Sequence, residues 1–400
     1  MSEIACNFCF GIPFLFSDLL FSSQQRPVSI DLPTSNIDLG PHLTLEYPYY
    51  PQGLTQKMYI IKGRTCIVFA GREDEIKEFL TEFKVRCSYF TGDVPLDRIT
   101  EFMDEYPFPQ KFARSALFLL HATGSHRDQK VHFGLFNVPK GTHLVDPTTF
   151  DIEPGVWNVL DSPTFGKVYA AASGTKRYLN LINQFPNLQT TAEKGSLDYA
   201  IQANGLIAAQ LLTLEKVALY TLNHLWGGGF EVGYFDGEVF QKFTNIAYIV
   251  NHGQFDPSGD VGIPVPRAVM FYRYVGDLLH ITAIEIIHGE AYTGPDVVKF
   301  TARADQIVVR PFLVPPVDFD RHQRPPEVDL SFKTNLVGMG YSLVTPDNGI
   351  FNPAFFKWGP QVYVEYNHED KIEIYIHPGY IGEIRSGAKA TFPRLTNGQQ

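Results

Sequence analysis

The sequence predicts an α+β protein, two sheets sandwiched between helix layers in a four-layer αββα order, with a β-rich part appended at the C-terminal end. Three observations predict it. Across residues 1–253 the apolar residues follow strand and helix periods in the order strands, two helices, strands, two helices, strands. Residues 254–400 then carry alternating runs separated by proline-rich spacers, and read as a separate β-rich domain or extension. The 400 residues are 44% hydrophobic and 14% aromatic with 19% charge, the composition of a globular chain with ample material for a core.

Taken in order, residues 3–10 and 14–22 read as two short strands around the turn Gly11-Ile12-Pro13. Pro27, Pro33, Pro41, Pro48 and Pro51 break up the next stretch, which reads as an irregular insertion over about residues 24–56. A strand pair over 57–61 and 65–70, turning at Lys62-Gly63-Arg64, leads through Gly71 into a helix over 72–84. There Ile76, Phe79, Leu80 and Phe83 recur at helical spacing, and Glu73 and Asp74 suit the helix start. A second helix is expected over 96–106 with Ile99, Phe102 and Met103 inward, then strands over 116–122, 131–137 and 167–172 and a short helix reaching Phe185. The longest helical pattern, 204–225, is apolar almost all round and therefore buried on two sides, and Gly227-Gly228-Gly229 stops it. Strands over 230–235 and 239–250 close this part. Beyond a linker at 254–260, strands are expected over 268–274, 279–287, 297–302, 307–314, 362–366 and 371–377.

Charge and cysteine content exclude several function classes. A net charge of −10 with no Lys/Arg cluster argues against a nucleic-acid surface. Four cysteines are few for a secreted disulfide scaffold of this size, so a reducing, cytoplasmic setting is expected. Cys6-Asn7-Phe8-Cys9 has metal-ligand spacing, yet no second pair follows and a strand would point the two thiols to opposite faces; no metal is expected there. His280, His288, His368 and His377 are scattered over strand candidates and read as structural or surface histidines. Gly227-Gly228-Gly229 follows a helix instead of opening one, which is wrong for a phosphate loop, and no cofactor is expected. The apolar N-terminus lacks a basic leader and is interrupted by Glu3, Asp18 and Gly11-Ile12-Pro13, so it does not read as a secretory signal. No run approaches the ~18 apolar residues of a membrane span.

The N-terminal stretch carries the chemistry. Removal of Met1, usual before a small residue, would leave Ser2 with a hydroxyl and a free α-amine on one framework. An α-amine with a pKa near ~8 takes the hydroxyl proton close to neutral pH, making Ser2 a nucleophile with its own base. A lysine near the hydroxyl lowers its effective pKa, and a carboxylate keeps that lysine charged. Lys57 and Asp18 are the candidates, and Gly71 offers an unshielded backbone N–H to an oxyanion. Singly, each has a bland role: a small second residue, a turn aspartate, a strand-edge lysine and a strand-to-helix glycine.

Together their spacings resemble the proteasome β-subunit family of N-terminal nucleophile hydrolases. Asp18 lies sixteen residues after Ser2, and Lys57 lies fourteen before Gly71 within KMYIIKGRTCIVFAG, the two intervals that family keeps between its nucleophile and aspartate and between its lysine and oxyanion-hole glycine. Ala172-Ser173-Gly174 resembles the family's Gly-Ser-Gly, whose serine supports the nucleophile's amine. The resemblance covers roughly residues 2–250 and implies the αββα fold, a peptide or other amide substrate, catalysis by Ser2, Asp18, Lys57, Gly71 and Ser173, homo-oligomeric assembly and an ATPase or other protein partner. This sequence departs from the family in three ways. Thirty-nine residues separate Asp18 from Lys57, a longer interval than usual. The aspartate and Ser-Gly-Gly that close the fourth helix are replaced by Asn223-His224-Leu225-Trp226-Gly227-Gly228-Gly229, with Asn223 or His224 in the aspartate's place. The residues after about Gly253 have no counterpart. Two other readings therefore stand beside the peptidase: an inactive structural or regulatory subunit of such an assembly, and an amidase acting on a small metabolite.

Overall fold

The computed structural model describes residues 3–9, 12–24, 32–34, 49–124, 130–136, 144–145, 157–160, 167–172, 192–193, 195–218, 220–224, 226–254, 265–293, 298–311, 332–344, 350–351, 354–366, 372–377 and 379–380. It is a mixed α+β fold with several sheets. The expected helix reaching Phe185 lies outside the described residues, as do Ser2, Ser173 and His368.

The first sheet has six strands. β1 (Glu3–Cys9) and β2 (Ile12–Asp18) form the expected hairpin, and β11 (Lys167–Ala172), β9 (Leu144–Val145), β12 (Phe230–Phe235) and β13 (Phe240–Lys242) extend it in the order β13-β12-β2-β1-β11-β9. The second sheet runs β10-β8-β7-β6-β5, built from β5 (Met58–Ile61), β6 (Thr65–Ala70), β7 (Ala116–Thr123), β8 (Lys130–Phe136) and β10 (Trp157–Leu160). Alternation decides what each face covers. Ile4, Cys6, Phe8 and Leu15 of the first sheet pack on Met58, Val68, Phe118, Leu120 and Phe133 of the second. The opposite face of the second sheet, with Ile67, Phe69, Leu117 and Leu119, packs on α1 (Glu73–Ser88), α2 (Leu96–Glu105) and α3 (Phe108–Lys111). Phe79 is the centre of that layer, in ring contact with Phe69, Phe83, Phe102, Tyr106, Phe108 and Phe112.

The opposite face of the first sheet, with Ala5, Cys9, Phe14 and Phe16, packs on α4 (Leu197–Ala218). Cys6 and Cys9 thus lie on opposite faces of β1, in different clusters, and all four cysteines are buried and free. The helix pattern expected over 204–225 begins earlier, at Leu197, because Ser196 caps it: its hydroxyl oxygen accepts the Tyr199 N–H at 3.1 Å. After α4 a single further turn, α5 (Tyr220–Asn223), precedes the three glycines.

Two expected strands are each divided between sheets. The run over 14–22 breaks at Leu19, whose N–H donates to the carbonyls of Gly227 and Gly229, and β3 (Leu20–Ser23) leaves the first sheet. It pairs with β4 (Tyr50–Gln56), so the last part of the stretch expected to be irregular is a strand, with Pro51 accommodated beside a bulge. The run over 239–250 breaks at Asn245, at φ +56°, which asparagine tolerates better than most residues. β13 ends before it and β14 (Ile246–Gln254) starts a third sheet.

That third sheet holds β14, β15 (Val265–Val275), β16 (Leu278–Thr293), β17 (Val298–Pro311), β18 (Phe332–Val344), β20 (Ala354–Tyr366) and β21 (Ile372–Ile376), with β19 (Ile350–Phe351) on β18. Its pairings run β16-β15-β14-β18-β20-β21-β17 and return to β16, a closed ring of seven strands. β17 also takes β4 alongside, through Arg310 and Pro311 opposite Thr55 and Gln56. The two short runs expected over 297–302 and 307–314 are one strand, and β18 was not expected because Gly338 and Gly340 dilute its alternation. Gly340 lets α4 approach, since a Cβ there would lie 1.6 Å from Thr213 Oγ1, and Gly338 makes room for the rings of Tyr248 on β14 and Phe356 on β20. Among the described residues no helix is long and apolar enough to cross a membrane, and no group of three metal-ligating side chains is found.

A buried histidine pair gives this fold an acid sensitivity. His121 on β7 sits opposite His132 on β8, with Thr65 Oγ1 2.9 Å from His121 Nδ1. Burial, then the His132 and Arg64 charges, pushes the His121 pKa down to about 4. Because the folded pKa is below the unfolded value, the unfolded chain binds more protons between pH 6.5 and 4. The stabilisation is therefore complete above pH 6.5 and lost as pH falls towards 4, on the order of 3 kcal/mol. Urea midpoints of wild type and His121→Leu at pH 7 and pH 4.5 are expected to differ in their pH dependence by that amount; parallel pH dependences would contradict it.

Candidate functional site

Asp18 ends β2 and Lys57 lies between β4 and β5, so the two are carried by neighbouring strand ends despite their separation in sequence. Three bonds fix the main chain around Lys57. Its own N–H and that of Met58 donate to Glu231 Oε2 at 2.8 and 3.1 Å, and its carbonyl accepts the Phe69 N–H at 3.1 Å. Glu231, on β12, is itself held by Lys242 Nζ at 2.6 Å and the Tyr274 hydroxyl at 2.8 Å, and Lys242 also donates to Gln56 Oε1. A buried carboxylate of the first sheet thus pins the start of the second.

From that anchored backbone the Lys57 ammonium reaches Asp18 Oδ1 at 2.6 Å and the Leu20 carbonyl at 2.7 Å. The other carboxylate oxygen of Asp18 accepts the Gly227 N–H at 3.0 Å. Side-chain exposure is 3% for Lys57 and 0% for Asp18, so each charge depends on the other. A pair held this way keeps a fixed positive charge in a low-dielectric setting, where it acts strongly on a neighbouring hydroxyl or oxyanion.

Gly71 follows β6 directly and is exposed. Its φ is +136°, and a Cβ there would lie 2.4 Å from Ser115 Cα. Ser115 Oγ accepts the Arg72 N–H at 2.9 Å and donates to Glu75 Oε2 at 2.8 Å, which ties the first turn of α1 to the strand entry at β7. Ser2 and Ser173 lie outside the described residues; β1 and β11 pair with each other, with Glu3 opposite Ala172. Asn223 is partly exposed and His224 exposed.

A second buried carboxylate at the glycine turn, besides Asp18, is Glu215, on α4 and 0% exposed. It accepts hydrogen bonds from Thr34 Oγ1 at 2.7 Å, Thr221 Oγ1 at 2.5 Å and the Gly228 N–H at 2.8 Å. Burial holds its carboxyl above the usual carboxylate range, with the three donors offsetting part of the rise and the Asp18 charge adding to it. Sequence reasoning missed Glu215, Glu231 and Thr34. A lone acid on a helix face otherwise filled by Leu211, Leu212 and Leu214 was the available signal for the first.

No protein-family model matches the sequence, and no curated protein matches it. Among solved structures the chain is similar to Anbu (ancestral beta-subunit) from Yersinia bercovieri, at 11% identity over 60% of this chain and 87% of that one, with a TM-score of 0.33. It is also similar to eukaryotic HslV from Trypanosoma brucei, at 12% identity over 58% of this chain and 98% of that one, with a TM-score of 0.29. Both likenesses are distant and concern part of this chain.

Proposed function

We propose that the protein is an N-terminal nucleophile amide hydrolase acting on peptides, with Ser2 as nucleophile once Met1 is removed. The observation that carries this reading is the buried Asp18–Lys57 pair, closed at 2.6 Å between the end of β2 and the start of β5, whose partner β6 leads to Gly71. In the proposed reaction Ser2 Oγ attacks the scissile carbonyl while the Ser2 α-amine takes the hydroxyl proton. Lys57 stabilises the ionised oxygen, Asp18 keeps Lys57 charged, and Ser173 supports the amine. The Gly71 N–H donates to the oxyanion of the tetrahedral adduct. The C–N bond then breaks as the amine's proton passes to the leaving nitrogen, leaving an ester on Ser2 that water hydrolyses. On the same reading the residues up to about 253 form a four-layer αββα unit, apart from β14, which joins the β-rich extension formed by residues 254–400, and copies of the chain assemble with one another and with an ATPase or other protein partner.

The test is the mass of the N-terminal peptide before and after a sulfonyl fluoride, using protein from a host that removes initiator methionine. Loss of Met1 with an adduct on Ser2, absent from Lys57→Ala and Ser2→Ala, is expected, and Ser2→Ala should fold and lose peptide turnover. A processed wild type that stays unmodified would overturn the mechanism. One observation favours a second reading, a non-catalytic assembly subunit: the Lys57 side chain is only 3% exposed, as a purely structural ion pair would be. Retention of Met1 in such a host would favour it, because the amine that must act as base would be blocked.

A further inference from the structure

A leucine at position 215 would suit the apolar surroundings of α4, and a carboxylate there is expensive to bury. Among the described residues the donors to Glu215 are all neutral. What the carboxylate does is hold a turn. Gly227, Gly228 and Gly229 have φ of +104°, +69° and +109°, and each is seated against a different neighbour. A Cβ at Gly227 would lie 2.1 Å from Glu215 Oε2, one at Gly228 2.5 Å from Leu54 Cδ2, and one at Gly229 2.6 Å from the Tyr272 hydroxyl. The turn is therefore closed over by α4, β4 and β15 at once.

The same turn holds both groups that receive the Lys57 ammonium. The Gly227 N–H donates to Asp18 Oδ2 at 3.0 Å. The Gly227 carbonyl accepts the N–H groups of Leu19 and Leu20 at 3.1 and 2.8 Å, and the Gly229 carbonyl accepts that of Leu19 at 3.0 Å. Leu20 in turn presents its carbonyl to Lys57 Nζ at 2.7 Å. We propose that Glu215 is a positioning residue for the Asp18–Lys57 pair: it fixes the glycine turn, and the turn fixes Asp18 and the Leu20 carbonyl where they hold the lysine. The catalytic consequence rests on the hydrolase reading above; the positioning itself concerns only Lys57.

The experiment uses the full chain with 13C,15N-lysine and reads the Lys57 amine directly by its proton-exchange rate and its titration. Glu215→Ala is expected to speed Lys57 amine exchange by about 10-fold or more, since losing the anchor frees the turn. Glu215→Gln should stay near wild type, because its carbonyl can accept from Gly228 and Thr221 while its amide donates to the Thr34 oxygen. If Glu215→Ala fails to fold, Glu215→Asp gives the same reading, keeping the charge but withdrawing it by one methylene. A folded Ala or Asp variant whose Lys57 exchange and titration match wild type would overturn the proposal. In active protein the Ala or Asp variant should lose about 10- to 100-fold in kcat with KM little changed, as misplaced catalytic groups do. A wild type without Ser2 reactivity would remove the hydrolase reading, and the Lys57 exchange result would still decide the positioning.

Discussion

Lys57→Met is expected to destabilise the fold by about 3–5 kcal/mol, the usual effect of removing one partner from a buried ion pair. Methionine fills much of the space of the lysine stem, so the loss is electrostatic more than steric. It leaves the fully buried Asp18 carboxylate without the ammonium at 2.6 Å, and leaves the Leu20 carbonyl without that donor. The companion variant separates charge from shape. Asp18→Asn combined with Lys57→Met removes both charges, and its amide oxygen can still accept the Gly227 N–H, so it should regain most of the lost stability. Urea midpoints at pH 7 give both numbers. Reactivity of Ser2 towards the sulfonyl fluoride should be lost in the single and the double variant alike, because neither supplies a positive charge to the hydroxyl. A double variant as unstable as Lys57→Met would mean the pair contributes shape and hydrogen bonds more than compensated charge. One that is stable and fully reactive would remove Lys57 from the chemistry.

The helices of the outer layer were legible because period and first-turn acids agree: Ile76, Phe79, Leu80 and Phe83 all face the second sheet, α2 buries Ile99, Phe102 and Met103, and Glu73, Asp74 and Asp97 stand at the helix starts. The hairpin at Lys62-Gly63-Arg64 was legible from its turn, whereas in the first hairpin Ile12 and Pro13, expected in the turn, already pair with Cys9 and Phe8 as the start of β2. What sequence reading lost lies where one apolar run serves two sheets. Nothing in the run around Leu19 announces that its N–H will turn away to Gly227 and Gly229, because those acceptors arrive from more than two hundred residues later. Asn245 carried a weak signal of the same kind, and Gly338 and Gly340 hid a central strand by making room for the Tyr248 and Phe356 rings and for α4. At the site, the Ser2 to Asp18 and Lys57 to Gly71 intervals are local, whereas the Asp18–Lys57 contact spans the stretch expected to be irregular. Glu215 and Glu231 were illegible for a further reason. Part of their hydrogen bonding comes from backbone N–H groups, Gly228 for one and Lys57 and Met58 for the other, which leave no mark in residue type, while the Thr34 and Tyr274 hydroxyls arrive from distant parts of the chain.

Gly71→Ala is expected to destabilise the protein by about 4 kcal/mol, and the origin of that loss bears on how Gly71 is assigned a role. Two penalties add. A non-glycine residue held at φ +136° bears strain of about 1–3 kcal/mol. The new methyl would also sit 2.4 Å from Ser115 Cα, a main-chain atom that no rotamer change can move, and such overpacking costs about 1–3 kcal/mol. Ser115→Gly in the same chain would clear the Ser115 Cβ and Oγ, at 2.6 and 2.5 Å, but not the Cα. It would also remove the hydroxyl that accepts the Arg72 N–H and donates to Glu75. The double variant is therefore expected to be no more stable than Gly71→Ala, which urea midpoints of the four proteins would measure. Recovery to wild-type stability would mean that side-chain crowding, and neither the backbone approach nor the φ, requires a glycine. Alanine keeps the peptide N–H that would donate to an oxyanion, so any loss of turnover in Gly71→Ala would come from displacing that N–H as β6 and Ser115 move apart. A loss of activity in step with the loss of stability would report this close approach, and only a folded variant with depressed kcat at temperatures well below its unfolding midpoint would speak for the oxyanion donor.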